Sequence, residues 1–416
     1  MRTSTLKQND IKTSPLNPVI LLSRKLLRKK LQSLAIGCIA INDEIDSWQT
    51  NNSKKIDVTI SINDLRFYTD LMMAGSNGVA SAYRDGYWSC DNLTLLFQLM
   101  VKNISKTDDI ESGFATIGNW WLKRRHKARS NTKQGSKKNI HAHYDLGNEM
   151  FELFLDPSMT YSSGIYLNEN STLEDASFEK LDRICRKLDL KPEHKLIEIG
   201  TGWGSFAIHA AKHYGCHVTT TTISNEQFSL ASERIKEQGL EELIDIKLCD
   251  YRDLDGQYDK LVSIEMIEAV GDEFLPEYFS TCSRLLKDNG QMVIQGITMP
   301  DQRYKQYLKA SDFIQQFIFP GSCVPSLTAM INAVTKGSDL RVNHVEDIGL
   351  HYAKTLRAWL VNFMANKESI KQHGYDDDFI RLWEYYFCYC EAGFKERYTG
   401  VVQIVMNKPS YGTEAI

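Results

Sequence analysis

Residues 195–204 read KLIEIGTGWG. The stretch opens as a short apolar, branched run of the kind that forms a buried strand. Gly200, Gly202 and Gly204 then let the backbone turn sharply and approach a ligand. A helix follows through FAIHAAKHY, and its free N–H groups face the same loop. The alternation continues downstream. HVTTTTI (217–223) predicts a second strand and EQFSLASERIKEQ a second crossover helix. IKLC (246–249), YDKLVSIE (258–265) and GQMVIQGIT (290–298) predict three more strands, and VVQIVMNKP (401–409) predicts an edge strand near the end of the chain. Strands alternating with helices point to the α/β class and a Rossmann-like, doubly wound sheet.

Such a glycine loop serves dinucleotides and S-adenosylmethionine alike, and a plain strand-to-helix turn has the same look. Here the spacing is GxGxG rather than GxGxxG, and no Asp or Glu ends the second strand to hold an adenosine ribose. That strand runs instead into TTTTISNEQ, which offers Thr222, Ser224 and Gln227. Glu198 stands just before the loop, where a carboxylate can hold an ammonium directly or through water. An adenosyl ligand bearing an ammonium suits these residues better than a pyrophosphate does. S-adenosylmethionine is the cofactor they favour.

At 416 residues and 42% hydrophobic content, the chain is long enough for two domains with sizeable cores. Its longest apolar run, LAIGCIAI (34–41), is too short to span a bilayer, and no stretch reads as a signal peptide. The nine cysteines lack metal-ligand spacing; free thiols in a cytoplasmic protein, and no metal, are expected. The net charge of −4 hides an asymmetry, because residues 1–140 carry 22 Lys/Arg against 12 Asp/Glu and the remainder 27 against 41. In SRKLLRKKLQSL (23–34) and the residue before it, Leu22, Leu26, Leu27 and Leu31 fall on one side of a helix, with Arg24, Lys25, Arg28, Lys29 and Lys30 largely elsewhere. KRRHKARSNTKQGSKKN (123–139) has eight Lys/Arg and no acid. Either cluster could meet nucleic acid or an anionic membrane, or be no more than a solvated face. The apolar stripe of the first favours lipid. The second contains Gly135 and Ser136, so it reads as a basic linker (123–139) between an N-terminal domain (1–122) and a second domain (140–416). Short β-branched runs such as IDVTISI (56–62) mixed with helical pieces such as LTLLFQLMVKNI make the first a smaller α+β domain without a visible catalytic constellation.

HAHYDLGNEMFELFLDPSMTYSSGIY, EIGTGWGSFAIHAAKHY, TTISNEQ, SIEMIEAVG, DFIQQFIFPGSCVPS and HYAKTLRAW, in this order, resemble the cyclopropane fatty acid synthases and mycolic acid methyltransferases. The resemblance runs from about His141 to Lys408. FYTDLMMAGSNGVASAYRDGYWSCDNL (67–93) is similar to the amino-terminal domain of the bacterial cyclopropane synthases, which the shorter mycolate enzymes lack. The resemblance implies a class I methyltransferase fold. It also implies transfer of a methylene from S-adenosylmethionine to the cis double bond of an unsaturated acyl chain in membrane phospholipid, forming a cyclopropane fatty acid. An alkene is a poor nucleophile, so the donor must be held against it in a dry site. Aromatic faces and a carboxylate can stabilise the carbocation left by transfer, and a base (bicarbonate in the family) removes a proton as the ring closes.

The same resemblance assigns roles. DPSMTYSSGIY (156–166) fits no helical or alternating period, so core packing does not account for it. Its Tyr161 and Ser162 match a segment that closes over the methionine end of the cofactor, which His143 and Asp145 could orient. Gly200 and Gly202 belong to the cofactor loop, Thr222 and Gln227 to its adenosine side, and Tyr251 flanks the adenine. Glu268 helps hold bicarbonate, with Tyr352, the backbone of Ile297 and the carbonyl of Ser163 near the same ion. Two positions depart from the family pattern. Ser163 replaces the usual cysteine, and Gln295 replaces a histidine ligand to the ion; a glutamine donates a hydrogen bond but shuttles no proton. Each role has a plainer counterpart, Glu268 as a surface acid and Tyr352 as a core tyrosine. WEYYFCYCEAGF (383–394) is expected as helical core, as is FIQQFIFPG (313–321), although Phe317 and Phe319 could line a lipid channel.

Three readings stay open. The first is the cyclopropane synthase. The second is a fatty-acyl C-methyltransferase giving a methyl-branched or methylated unsaturated chain, for which Gln295 leaves room. The third is a lipid or cofactor binder without turnover. Expected partners are a phospholipid bilayer with unsaturated acyl chains and its anionic surface, met peripherally at the inner face of the cell membrane. No nucleic acid is expected, and a homodimer is compatible with the sequence.

Overall fold

A computed structural model describes residues 17–104 and 147–412. The basic stretch 123–139, the linker expected there, and His143 and Asp145 lie outside the described residues. The first segment runs α1 (Pro18–Leu31), β1 (Ile39–Asn42), β2 (Ser47–Gln49), β3 (Val58–Ile62), α2 (Arg66–Arg84), β4 (Trp88–Cys90) and α3 (Leu93–Lys102). Its strands form one sheet in the order β2-β1-β3-β4. Asn17 and Asn92 cap α1 and α3 by accepting from backbone N–H groups of the first turn. α2 kinks at Gly75, whose φ of 56° lies in the left-handed region that glycine tolerates.

The apolar stripe expected on α1 is rotated. Ser23, Arg24, Leu27 and Leu31 are the buried side chains, while Leu22 is 50% exposed. Arg24 is therefore not a surface cation: it bonds Asp43 at 2.7 Å and also Asp46, and Asp43 accepts the hydroxyl of Tyr68. The turn between β1 and β2 brings both carboxylates under the helix, and a buried guanidinium persists when fully paired.

The second segment builds the sheet expected from the glycine loop. It runs α4 (Leu173–Lys187), β5 (Lys195–Ile199), α5 (Ser205–Tyr214), β6 (His217–Thr222), α6 (Asn225–Glu237), β7 (Ile244–Leu248), β8 (Tyr258–Ile264), α7 (Leu275–Leu285), β9 (Leu286–Thr298), β10 (Arg341–Asp347), α8 (Gly349–Ala365), α9 (Asp377–Lys395) and β11 (Gly400–Asn407), with further helices between them. The order is β10-β11-β9-β8-β5-β6-β7, parallel from β9 to β7, with β11 antiparallel to β9 and to β10. This is the α/β doubly wound class I methyltransferase fold. One expectation is corrected: β11 is not an edge strand, because β10 (RVNHVED) covers it. β10 is polar and exposed along almost its whole length, the composition that keeps an edge from recruiting another chain.

Strand order reverses between β5 and β8, and loops at the carboxyl ends of two such strands face one crevice. GTGWG follows β5 and EMIEAVG follows β8, so the fold puts both motifs in that crevice. α9 packs on α2, α3 and α8, and one apolar cluster runs from Leu27 and Trp88 to Trp359 and Trp383. All nine cysteines are free. Among the described residues no group could hold a metal ion, and no helix is long and apolar enough to cross a membrane.

Candidate active site

Gly200, Gly202 and Gly204 have φ values of 101°, 53° and 86°, so the loop holds a path that other residues enter only with strain. A Cβ at Gly202 would meet nothing within 4 Å, whereas one at Gly200 would press on Met266 at 3.3 Å. Across the crevice, the Thr222 hydroxyl donates to Gln227 Oε1 at 2.8 Å and accepts from the Ser224 N–H at 3.1 Å. Tyr251 packs its ring edge-on against Tyr278, 5.5 Å between centroids. Glu198 is buried beneath the loop and accepts the Thr220 hydroxyl at 2.6 Å; burial pushes its carboxyl up to about 8. All of these but Gly204, Ser224, Thr220 and Tyr278 line a single cavity of about 680 Å³ together with Tyr161 and Ser162. The set fits S-adenosylmethionine. It offers open space that a side chain at 202 would fill, a hydroxyl and an amide for the adenosine, and a buried carboxylate for the ammonium.

Lys180 escaped the sequence reading. It is fully buried on α4 and donates to Ser162 Oγ at 2.9 Å, and burial pushes its ammonium down to about 8 against the pull of Glu265, Asp156 and Glu198. The signal was there: Lys180 stands on the helix face that also carries Ala176, Leu181 and Ile184.

The residues assigned to the reacting centre come together, but around a side chain the sequence reading did not single out. Glu265 Oε1 accepts from the Ser163 N–H at 2.9 Å and from Gln295 Nε2 at 2.8 Å, and Oε2 accepts from the Tyr352 hydroxyl at 2.8 Å. Gln295 Nε2 also reaches the Ser163 carbonyl at 3.3 Å. Behind it, Gln295 Oε1 accepts from Gln403 at 2.9 Å, and Gln403 accepts from Lys187 at 2.6 Å. Glu268 lies beside this cluster and accepts the N–H of Ile297. Glu265 has a φ of 49°, an unusual conformation for a side chain of its size.

Burial raises both carboxyls, Glu268 up to about 8 with the neighbouring Glu265 adding to the shift. Glu265 is opposed by its three donors, so it is the member of the pair that carries charge first. A bicarbonate held as the resemblance implies does not fit beside it. The side-chain donors Gln295 and Tyr352 serve Glu265, and the N–H of Ile297 serves Glu268.

DPSMTYSSGIY is largely buried despite its lack of period, with Pro157 exposed and Tyr161 and Tyr166 half-buried. Ser162 and Ser163 are buried, and the Tyr161 ring lies 5.1 Å from Trp359 and 5.3 Å from Phe151, with its hydroxyl 3.2 Å from that of Tyr386. The helical core expected at 383–394 is present, and part of it does more than pack. Tyr385, Tyr386, Tyr389 and Phe394 of α9 are buried or nearly so and line the cavity. Phe319 lines it too, while Phe317 does not and stacks on Phe313. The far end of the cavity lies within the first segment, against Leu27, Ile39, Ile62, Leu71 and Phe97.

A family model described as mycolic acid cyclopropane synthetase matches residues 131–404. The chain belongs to this family. It is 35% identical to the tuberculostearic acid methyltransferase UfaA1 of Mycobacterium tuberculosis over 79% of this chain and 78% of that protein. It is 33% identical to the cyclopropane-fatty-acyl-phospholipid synthase of Escherichia coli over 86% and 89% of the two chains. Among solved structures, the mycolic acid cyclopropane synthase CmaA1 complexed with SAH and CTAB is 30% identical, with a TM-score of 0.61 over 65% of this chain and 98% of that one. The cyclopropane synthase MmaA2 from Mycobacterium tuberculosis superposes with a TM-score of 0.62 at 26% identity over the same shares of the two chains. This member of the family is an S-adenosylmethionine-dependent methyltransferase.

Proposed function

We propose that the enzyme transfers a one-carbon unit from S-adenosylmethionine to the cis double bond of an unsaturated acyl chain in membrane phospholipid and closes it to a cyclopropane. One observation carries this reading: a single, mostly apolar cavity joins the glycine loop to the interior of the first segment. Its volume falls in the range of small-molecule sites, and its length of apolar wall suits a hydrocarbon chain. Similarity to the phospholipid synthase of Escherichia coli over 86% of this chain supports the same acceptor.

When bound, S-adenosylmethionine supplies an electrophilic methyl group. Glu198 holds its ammonium, Gly200 and Gly202 admit it, Thr222, Gln227 and Tyr251 place the adenosine, and Tyr161 and Ser162 close the methionine end. Tyr161, Phe319, Tyr386 and Phe394 present π faces and exclude water, which stabilises positive charge as it develops on the chain. Glu265, with the donors Ser163, Gln295 and Tyr352 around it and a neutral Glu268 held by Ile297 beside it, sets negative charge at the same place. Val19 and Leu22 of α1 are exposed beside Lys25 and Lys29, a mixed face suited to an anionic bilayer at the cytoplasmic side.

The test is to give purified protein S-adenosylmethionine and liposomes of cis-monounsaturated phospholipid, then to read the acyl chains by proton NMR. Upfield ring protons are the expected result. Retained vinyl protons with a new branch would instead establish the second reading, a fatty-acyl C-methyltransferase, which similarity to the tuberculostearic acid methyltransferase keeps in view. No transfer to any chain would refute both.

A further inference from the structure

We infer that the Glu265 carboxylate takes the place of a bicarbonate ion and itself accepts the proton released at the end of the reaction, so that turnover needs no bicarbonate. The inference rests on the reaction proposed above. It starts from convergence: a backbone N–H from 163, an amide from 295 and a phenol from 352 all donate to one carboxylate. Three donors around a buried acid favour its ionised form, and that is the form a base requires.

Backbone geometry adds a second argument. Glu265 keeps a left-handed φ of 49° at the end of β8, directly after Ile264, and the strained backbone places its carboxylate in the crevice. A glycine would hold the same path without strain and would leave the space open.

Gln295 supplies the third. Its Oε1 is occupied by Gln403, which in turn is held by Lys187, so Nε2 has only Glu265 and the Ser163 carbonyl to face. The neutral amide at 295 and the acid at 265 form a matched pair. Glu268 completes it as the neutral neighbour: Oε1 takes the Ile297 N–H, while the buried Oε2 has no hydrogen-bond partner among the described residues. Among the described residues, Oε2 of Glu265 accepts from Tyr352 alone and retains a lone pair for a proton.

The step balances. The methyl carbon bonds to one alkene carbon as its bond to the sulfonium sulfur breaks, and sulfur keeps that electron pair. The electrons of one C–H bond of the new methyl close the ring onto the other alkene carbon, and the proton passes to Glu265 Oε2. The products are the cyclopropane, S-adenosylhomocysteine and a protonated Glu265.

The experiment compares the full-length protein, S-adenosylmethionine and cis-monounsaturated vesicles in carbonate-free buffer under argon with the same mixture plus bicarbonate. Equal rates are expected; a rate that appears or climbs only with bicarbonate overturns the inference. Glu265→Gly is expected to lose about 10²–10⁴-fold of turnover without bicarbonate and to regain activity as the ion is added. Glu265→Gln, which keeps the space filled, is expected to stay inactive in both buffers. Undiminished turnover of Glu265→Gly in carbonate-free buffer would also overturn the inference. A parent protein inactive in both buffers would count against the proposed reaction instead. Carbon NMR of labelled bicarbonate then decides the site by itself: Glu265→Gly with S-adenosylhomocysteine should broaden the line and the parent should not, and broadening by the parent would be fatal.

Discussion

Tyr352 of α8 donates its hydroxyl to Glu265 Oε2 at 2.8 Å across 87 positions of sequence. A hydrogen bond to a charged group contributes about 1.5–3 kcal/mol, and it lowers the proton affinity of Glu265. Tyr352→Phe should therefore slow turnover about 10- to 100-fold, at roughly tenfold per 1.4 kcal/mol, and leave the affinity for S-adenosylhomocysteine unchanged. Because Glu265 would then ionise at higher pH, the acid limb of the pH–rate profile should move to higher pH as well. A profile that stays in place would separate Tyr352 from Glu265.

Glu268→Gln and Glu265→Gln should differ sharply. Burial and its neighbour push Glu268 up to about 8, so a neutral amide resembles its resting form and can still accept from Ile297. We expect Glu268→Gln to keep turnover within about tenfold of the parent, while Glu265→Gln loses about 10²–10⁴-fold. Steady-state rates on liposomes measure both, and equal losses would contradict the division of charge.

Gly202→Val tests the cofactor loop. A Cβ there enters open space, so the cost falls on the ligand, and the φ of 53° adds about 1–2 kcal/mol of backbone strain. Calorimetric titration with S-adenosylhomocysteine should show no detectable binding, with a lowered Tm. An ordinary Kd would mean that the ligand lies elsewhere.

Glu198 gives a pH signature. Its folded value of about 8 lies above the ordinary 4.5, so between these the folded chain holds a proton that the unfolded chain has released. Stability then falls as pH rises through that window and levels off above about 8. Relative to the parent, Glu198→Gln should show a flatter decline of Tm from pH 4.5 to about 8. Parallel curves would show that Glu198 ionises normally.

Much of the fold was legible because each strand of the second sheet is a short apolar run next to a turn, and KLIEIGTGWG joins both features. β10 was not, since RVNHVED gains its strand only by pairing with β11, and that hid the true position of β11. The cofactor side of the site could be read from glycines and hydroxyls at fixed spacing. Glu265 lay in plain view in SIEMIEAVG, but its importance comes from a left-handed φ and from donors at 163, 295 and 352, none of which a linear pattern carries. An acid at a strand's carboxyl end, together with glutamine at 295, was the available sign. Two things about the aromatics stayed hidden: periodicity does not report that Tyr161 packs on Phe151 and Trp359 from a loop, and a helix that lines a cavity looks like one that only packs a core.

Membrane attachment should depend on Lys25 and Lys29 and not on Arg24. Lys25 and Lys29 are exposed, and at about 1 kcal/mol each their removal should weaken binding to anionic vesicles roughly 30-fold at low salt. Tm should stay the same. Arg24→Ala should instead lower stability by about 3–5 kcal/mol, because it strands Asp43, whose side chain is wholly buried. Co-sedimentation and thermal melts separate the two effects, and equal sedimentation of Lys25→Glu/Lys29→Glu and parent would remove α1 from the membrane face.

The apolar cluster that runs from Leu27 to Trp383 joins two stretches of chain that differ in charge and in texture, and the cavity lies inside it. The two stretches are therefore expected to melt as one body, and an acyl chain entering the cavity would touch both. On the proposed reaction, lipid would act as a missing piece of the interior: each catalytic cycle would fill the protein's core and then empty it again.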